Sequence, residues 1–163
     1  MTTSTMAEAP SVTQVGMGQA AVAQNPKRLS AVLGSCVGVT LFHPRLQLGA
    51  LSHVVLPESH GKVGAGAKFA DSAVPHMLAL LEKHGAFPTG MVAKIMGGSC
   101  MFGNGGPLQI GEANIKAVTL ALEAAGIRIV GRDLGGSCGR RIHFDAATGM
   151  VTVESAGLPP RTI

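Results

Sequence analysis

Residues 36–56 read CVGVTLFHPRLQLGALSHVVL. Val37, Val39 and Leu41 alternate with Gly38, Thr40 and Phe42, which is the period of a β-strand. His43-Pro44-Arg45-Leu46 then reads as a turn, with Pro44 at a position that suits one. GALSHVVLP, from Gly49 to Pro57, returns as a second β-rich run. The stretch is a hairpin, and the rest of the chain is read outward from it. A turn centred on Pro44-Arg45 pairs His43 with Leu46, Leu41 with Leu48 and, further out, Cys36 with His53. Directly opposed residues share a face, with Cβ atoms roughly 4.5–5.5 Å apart. A slip of two residues leaves Cys36 and His53 diagonal neighbours on one face, and a slip of one separates them.

A cysteine facing a histidine has a defined chemistry. The thiolate is the nucleophile, and a nearby imidazolium pulls the thiol pKa down from about 8.5. The histidine can return the proton to a leaving group. Gly34 lets the chain turn just before Cys36, and backbone amides of Gly34, Ser35 and Cys36 offer an oxyanion hole. The residues alone also fit a plain alternative: a small buried cysteine and a hydrogen-bonded strand histidine.

The chain holds three cysteines, each inside a Gly-Ser-Cys tripeptide, at Gly34–Cys36, Gly98–Cys100 and Gly136–Cys138. Their wide spacing is a poor disulfide framework, so free thiols in a reducing cytoplasm are expected. Cys100 and Cys138 read as small residues in glycine-rich turns. No CxxC or HxxxH spacing points to zinc, and GKVGAGAKFADS matches neither GxGxxG nor GxxxxGK[ST]. No metal and no cofactor are expected.

The 163 residues suffice for one domain with a core; 46% are hydrophobic and 13% charged, a globular composition. Five phenylalanines with no tyrosine or tryptophan leave no stacking platform for single-stranded nucleic acid. A net charge of +4 suits a solvated surface or an acidic protein partner. No apolar run approaches the ~20 residues of a membrane span, and MTTSTMAEAP has neither basic region nor apolar block of a signal peptide.

Along the chain, residues 1–11 read as a disordered tail, 12–156 as a single domain and 157–163 as a flexible tail. Ser11–Ala23 carries one or two short strands, and Asn25-Pro26 marks a turn. A first helix follows the glycine-rich stretch 57–70, capped by Asp71 or Ser72, with Pro75 in its first turn and Gly85 closing it. Met91–Met96 is a strand, Glu112–Ala125 a second helix, and Ile127–Val130 another strand. Arg141–Phe144 and Met150–Val153 form a final hairpin. About eight strands and two to three helices make an α+β domain, with sheet packed on sheet and helices outside.

The blocks VGMGQAAVAQNP, LGSCVGVTLFHP, GALSHVVLPES, KFADSAVPHMLALLEKHGA, AKIMGGSCMFGNGGPLQIGEANI and GRDLGGSCGRRIHFDAATGMVTV resemble, in that order, the chemoreceptor glutamine deamidase (CheD) family. The resemblance implies a layered sheet sandwich like that of bacterial toxin glutamine deamidases. It implies hydrolysis of receptor glutamines to glutamate in the cytoplasm, in chemotactic adaptation, with Cys36 as nucleophile and His53 as base. It also implies a hydroxyl third member; the family's usual threonine is Ser30 here, which lacks β-branched stiffness. It further implies docking of a CheC-type phosphatase at Met101 and Phe102, by a monomer. Two other readings stand beside it: a non-catalytic binding module regulating a CheC-type phosphatase, which would not need both Cys36 and His53, and a cysteine peptidase or transglutaminase with the same dyad. The same thioester would also permit methylesterase activity.

Overall fold

The computed structural model describes residues 11–100 and 109–163. Its elements run in the order β1 (Val12–Gln14), β2 (Ala20–Gln24), β3 (Arg28–Leu33), β4 (Val37–His43), β5 (Leu48–Val54), α1 (Ala70–Glu82), β6 (Val92–Gly97), α2 (Ile110–Ala124), β7 (Arg128–Leu134), β8 (Arg140–Asp145), β9 (Val151–Glu154) and β10 (Arg161–Thr162). The strands form two five-stranded sheets. A central sheet has the order β2-β5-β4-β6-β7, and an outer sheet the order β1-β3-β8-β9-β10. Both are mixed: β6 and β7 pair in parallel, as do β1 and β3, and the remaining pairs are antiparallel.

Strand alternation sorts the apolar residues into two cores. Val37, Val39 and Leu41 of β4, with Leu48, Ala50 and Val54 of β5, meet both helices, which contribute Val74, Met77, Leu81, Val118 and Leu122. The opposite face turns Phe42, Leu51 and Met96 toward Leu29, Ala31, Leu33, Ile142, Phe144 and Val153 of the outer sheet. Phe42 and Phe144 meet edge to face across that gap, ring centroids 6.0 Å apart. The molecule is thus three layers, sheet on sheet with both helices on one side. Burying a valine, leucine or methionine side chain contributes about 1.5–3 kcal/mol, so the paired cores dominate the stability.

Several expectations are corrected. Arg28–Leu33, between the Asn25-Pro26 turn and the hairpin, is a full strand in the outer sheet. The segment 157–163 is no free tail. Its β10 pairs with β9, Val151 and Ile163 exchange backbone hydrogen bonds, and Lys94 Nζ donates to the Ile163 carbonyl at 2.7 Å. Helix α1 starts at Ala70 with Phe69 as its uncapped N-cap, so Pro75 lies inside the helix rather than in its first turn. The Asp71 carboxylate accepts instead from the Ser59 amide and hydroxyl at 3.0–3.1 Å, anchoring the glycine-rich loop. Helix α2 begins two residues earlier than expected. Residues 1–10, most of the expected N-terminal tail, lie outside the described residues.

The hairpin register is also corrected. His43 pairs with Leu48 and Gly38 with His53, two residues from the expected alignment. Proline explains the shift. A two-residue hairpin loop needs a positive φ at its first central position, and Pro44 is held near −65°. The chain therefore spends four residues, Pro44–Gln47, on the turn. Gln47 takes the left-handed conformation (φ 48°) and its amide donates to the Pro44 carbonyl, while the Leu46 amide donates to His43 Nδ1.

Candidate active site

The turn Gly34–Cys36 joins β3 to β4 and is held by its carbonyls. Gly34 accepts from the Ser99 amide at 2.9 Å and Cys36 from the Gly98 amide at 2.9 Å. Ser35 accepts from Asn114 Nδ2 at 3.2 Å. In a trans peptide the C=O and the following N–H point in opposite directions. Each fixed carbonyl turns the next amide away from its own partner, Ser35 N–H away from Ser99 and Cys36 N–H away from Asn114. The Cys36 side chain is 8% exposed and belongs to the inter-sheet core with Leu33, Met96 and Ile142. Burial pushes its thiol pKa up, and the hydrogen bond from its own backbone amide offsets part of that rise. The expectation of a thiol lowered by a neighbouring imidazolium is corrected: in the resting molecule desolvation wins.

His53 lies on β5 opposite Gly38. Its side chain shares the inter-sheet face with that of Leu51, two residues before it, and it is 3% exposed. Its backbone is gripped on both sides, N–H to the Gln19 carbonyl and C=O from the Gly18 amide, each at 2.9 Å. Nδ1 lies 3.0 Å from the Val15 carbonyl. A carbonyl only accepts, so Nδ1 carries the proton and the lone pair of the neutral ring sits on Nε2. Nε2 is buried and has no hydrogen-bond partner. Cys36 is two residues from the position opposite His53, so the two are diagonal neighbours on one face, at a typical separation of ~7–8 Å between such positions. No hydrogen bond joins them in the resting state.

Ser30 is placed differently. Leu29, Ala31 and Leu33 face the inter-sheet core, so alternation turns Ser30 to the other face of its sheet. Its hydroxyl, fully buried, donates to the Ile142 carbonyl at 2.9 Å. Its carbonyl accepts from the Val15 amide at 2.7 Å, and Val15 holds His53. The contact between Ser30 and His53 therefore runs through main chain at one remove. Met101 and Phe102 lie outside the described residues.

The three Gly-Ser-Cys turns stack on one another. The second holds the first through Ser99 and Gly98, as above. The third holds the second: the Cys100 amide donates to the Gly136 carbonyl at 2.9 Å, and Ser99 Oγ to the Cys138 carbonyl at 2.6 Å. Arg140 closes the stack, donating to Ser99 Oγ, to the Gly135 carbonyl and to Asp133, which Arg161 also grips. Only Cys36 of the three cysteines is buried; Cys100 and Cys138 are exposed. Glycine is required where backbones meet. A Cβ at Gly97 (φ +102°) would stand 2.3 Å from the Cys36 carbonyl oxygen, and one at Gly111 of α2 2.5 Å from the Gly98 carbonyl oxygen.

Two residues were missed by sequence reasoning. Val15 supplies a carbonyl, which no side-chain pattern reveals. Asn114 sits in a helix interior, where asparagine is unfavourable, and that misfit was the available signal.

The family model for CheD chemotactic sensory transduction matches residues 55–155. A probable chemoreceptor glutamine deamidase CheD from Desulforamulus reducens is 41% identical over 156 residues, covering 92% of this chain and 94% of its own. This chain belongs to the CheD family. A Clostridium botulinum (strain Hall) relative of the same name is 38% identical, covering 92% of this chain and 96% of its own. The CheD family model begins just after His53, whereas the span shared with these relatives takes in both Cys36 and His53. Among the described residues no helix is long and apolar enough to cross a membrane.

Proposed function

We propose that the protein is a cytoplasmic protein-glutamine deamidase that converts glutamine side chains of chemotaxis receptors to glutamate, using Cys36 and His53. The observation that carries this reading is the pair itself: a buried thiol and an imidazole on one inter-sheet face, the imidazole fixed by Val15 so that its free Nε2 is the basic nitrogen. The relatives' names supply the substrate class.

Burial disfavours the Cys36 thiolate, so proton transfer to His53 accompanies attack. Sγ of Cys36 adds to the carboxamide carbon of the substrate glutamine while His53 Nε2 takes the thiol proton. The oxyanion forms against the Ser35 and Cys36 amides; one such donor is worth ~3 kcal/mol of barrier. His53 gives its proton to nitrogen as the C–N bond breaks, releasing ammonia and leaving a thioester. Water then attacks, His53 takes its proton, and cleavage of the C–S bond with return of that proton to sulfur frees glutamate. Ser30 supports the base through Val15 rather than by its hydroxyl. The same proposal keeps Met101 and Phe102 as the contact for a CheC-type phosphatase, tested by loss of co-elution in Phe102→Glu.

The deciding experiment incubates the protein with a receptor cytoplasmic fragment and follows ammonia release together with the intact mass of the fragment. Amide-to-acid mass gain without cleavage or cross-linking, abolished in Cys36→Ala and His53→Ala, is expected. Cleavage or cross-linking would favour the peptidase or transglutaminase reading. Full activity in Cys36→Ala would refute the mechanism.

A further inference from the structure

We infer that Asn114 is a positioning residue that fixes the nucleophile turn against the histidine strand. The inference rests on the Cys36–His53 reading above. One amide group of Asn114 makes two bonds: Nδ2 donates to the Ser35 carbonyl at 3.2 Å and to the Val55 carbonyl at 2.9 Å. Ser35 immediately precedes Cys36, and Val55 lies two residues beyond His53. A single side chain thus ties the backbone beside the thiol to the backbone beside the imidazole. The orientation of the amide follows from chemistry, since the reverse one would set Oδ1 against two carbonyl oxygens.

Three further observations set Asn114 apart from a residue that merely fills space. It is fully buried on α2, and its Oδ1 has no partner. An unsatisfied buried acceptor is a cost that a structural position would shed by taking an apolar residue. Its helix is locked in register with the second Gly-Ser-Cys turn, because Gly111 packs backbone to backbone on Gly98 and Ser99. Finally, Cys36 and His53 have no direct bond, so their separation is set by what holds their backbones. In β4 and β5 the ladder pairs Val37 with Val54, and Cys36 lies beyond the last ladder pair. Asn114 bridges that open end.

The bridge also bears on the oxyanion amides. Pulling the Ser35 carbonyl toward α2 turns the Cys36 N–H away from α2 and so fixes the direction in which that amide can donate to a developing oxyanion. Loss of the bridge should lower turnover, not substrate affinity. A displacement of about 1 Å in a reacting group can cost ~10² in rate.

The test compares wild type, Asn114→Ala, His53→Ala and the double variant, each checked for folding by circular dichroism. Two assays are read: kcat and KM on a receptor fragment, and the pH-dependent rate of Cys36 alkylation by iodoacetamide, located by peptide mass mapping. In Asn114→Ala we expect kcat to fall ~10²-fold with KM unchanged, and the His53-dependent part of the alkylation rate to vanish. The double variant should then alkylate like Asn114→Ala alone, the non-additivity of coupled groups. A folded Asn114→Ala that keeps its turnover, that changes only KM, or that keeps the His53-dependent alkylation would overturn the inference. If Asn114→Ala melts below assay temperature, Asn114→Asp, of equal shape but lacking the NH₂ donor, is read by the same criteria. Wild type that deamidates nothing would sink the substrate assignment, while the alkylation comparison would still decide the role of Asn114. Wild-type alkylation indifferent to His53 would instead refute the dyad.

Discussion

Gly97→Ala should inactivate the protein without unfolding it. A Cβ built at Gly97 stands 2.3 Å from the Cys36 carbonyl oxygen, whereas ordinary contact begins near 3.4 Å. The two atoms must therefore part by about 1 Å. The Leu33 side chain, 3.3 Å from the same Cβ, closes off one direction of escape, so the Gly34–Cys36 turn has to move. Misplacing a reacting group by that distance can cost ~10² in rate. The left-handed φ of +102° adds roughly 1–2 kcal/mol of strain for a residue with a Cβ. Gly85→Ala is the control. Gly85 has a comparable φ of +82°, but nothing lies within 4 Å of its Cβ position. It should lose similar stability and keep its turnover. The assay is ammonia release from a receptor fragment, with thermal melting alongside. If Gly97→Ala retained kcat within a few-fold of Gly85→Ala at equal melting temperature, the stacked turns would not control the nucleophile.

Other perturbations give separate outcomes. The side-chain hydrogen bond from Arg161 is the main cause holding the Asp133 carboxyl below its ordinary value of 3.8. A lowered carboxyl stabilises the fold above that value and less as pH falls through its folded pKa, so the acid limb of a melting curve should flatten in Asp133→Asn. Burial raises the Cys36 thiol above its ordinary value of 9.0. Its contribution is complete below 9.0 and lost as pH rises through the folded value, so wild type should lose more stability at alkaline pH than Cys36→Ala, read by denaturant titration. Deleting Arg161–Ile163 removes β10, the Lys94 contact and the Arg161–Asp133 pair. With individual bonds of this kind worth ~0.5–3 kcal/mol, a loss of about 2 kcal/mol is expected by chemical denaturation. Ser30→Ala loses the buried bond to Ile142, worth ~1 kcal/mol, and should reduce turnover far less than His53→Ala.

The hairpin around Cys36 and His53 was legible because its alternation continues on both sides of a proline turn. Its register follows from Pro44, which excludes a two-residue loop. Strand β3 was hidden for a different reason: Ser30 and Ala31 blunt the contrast between its two faces, although both are buried. Strand β10 has only two residues, too few for any period, and it is held by charged contacts from distant positions. The partners of Asn114 lie 79 and 59 residues away, so its role could not be read from neighbouring residues. Ser30 was placed by resemblance, whereas its orientation depends on which face of the outer sheet meets the core.

The three Gly-Ser-Cys turns are joined largely through their main chains, and the parts that must not change are hydrogen atoms. At Gly97, Gly98 and Gly111 an alanine removes nothing and acts only through the Cβ it adds. Saturation mutagenesis read by receptor modification should reveal a band of intolerance at these three positions. That band would trace the path by which α2 reaches the nucleophile, through residues that carry no functional group at all.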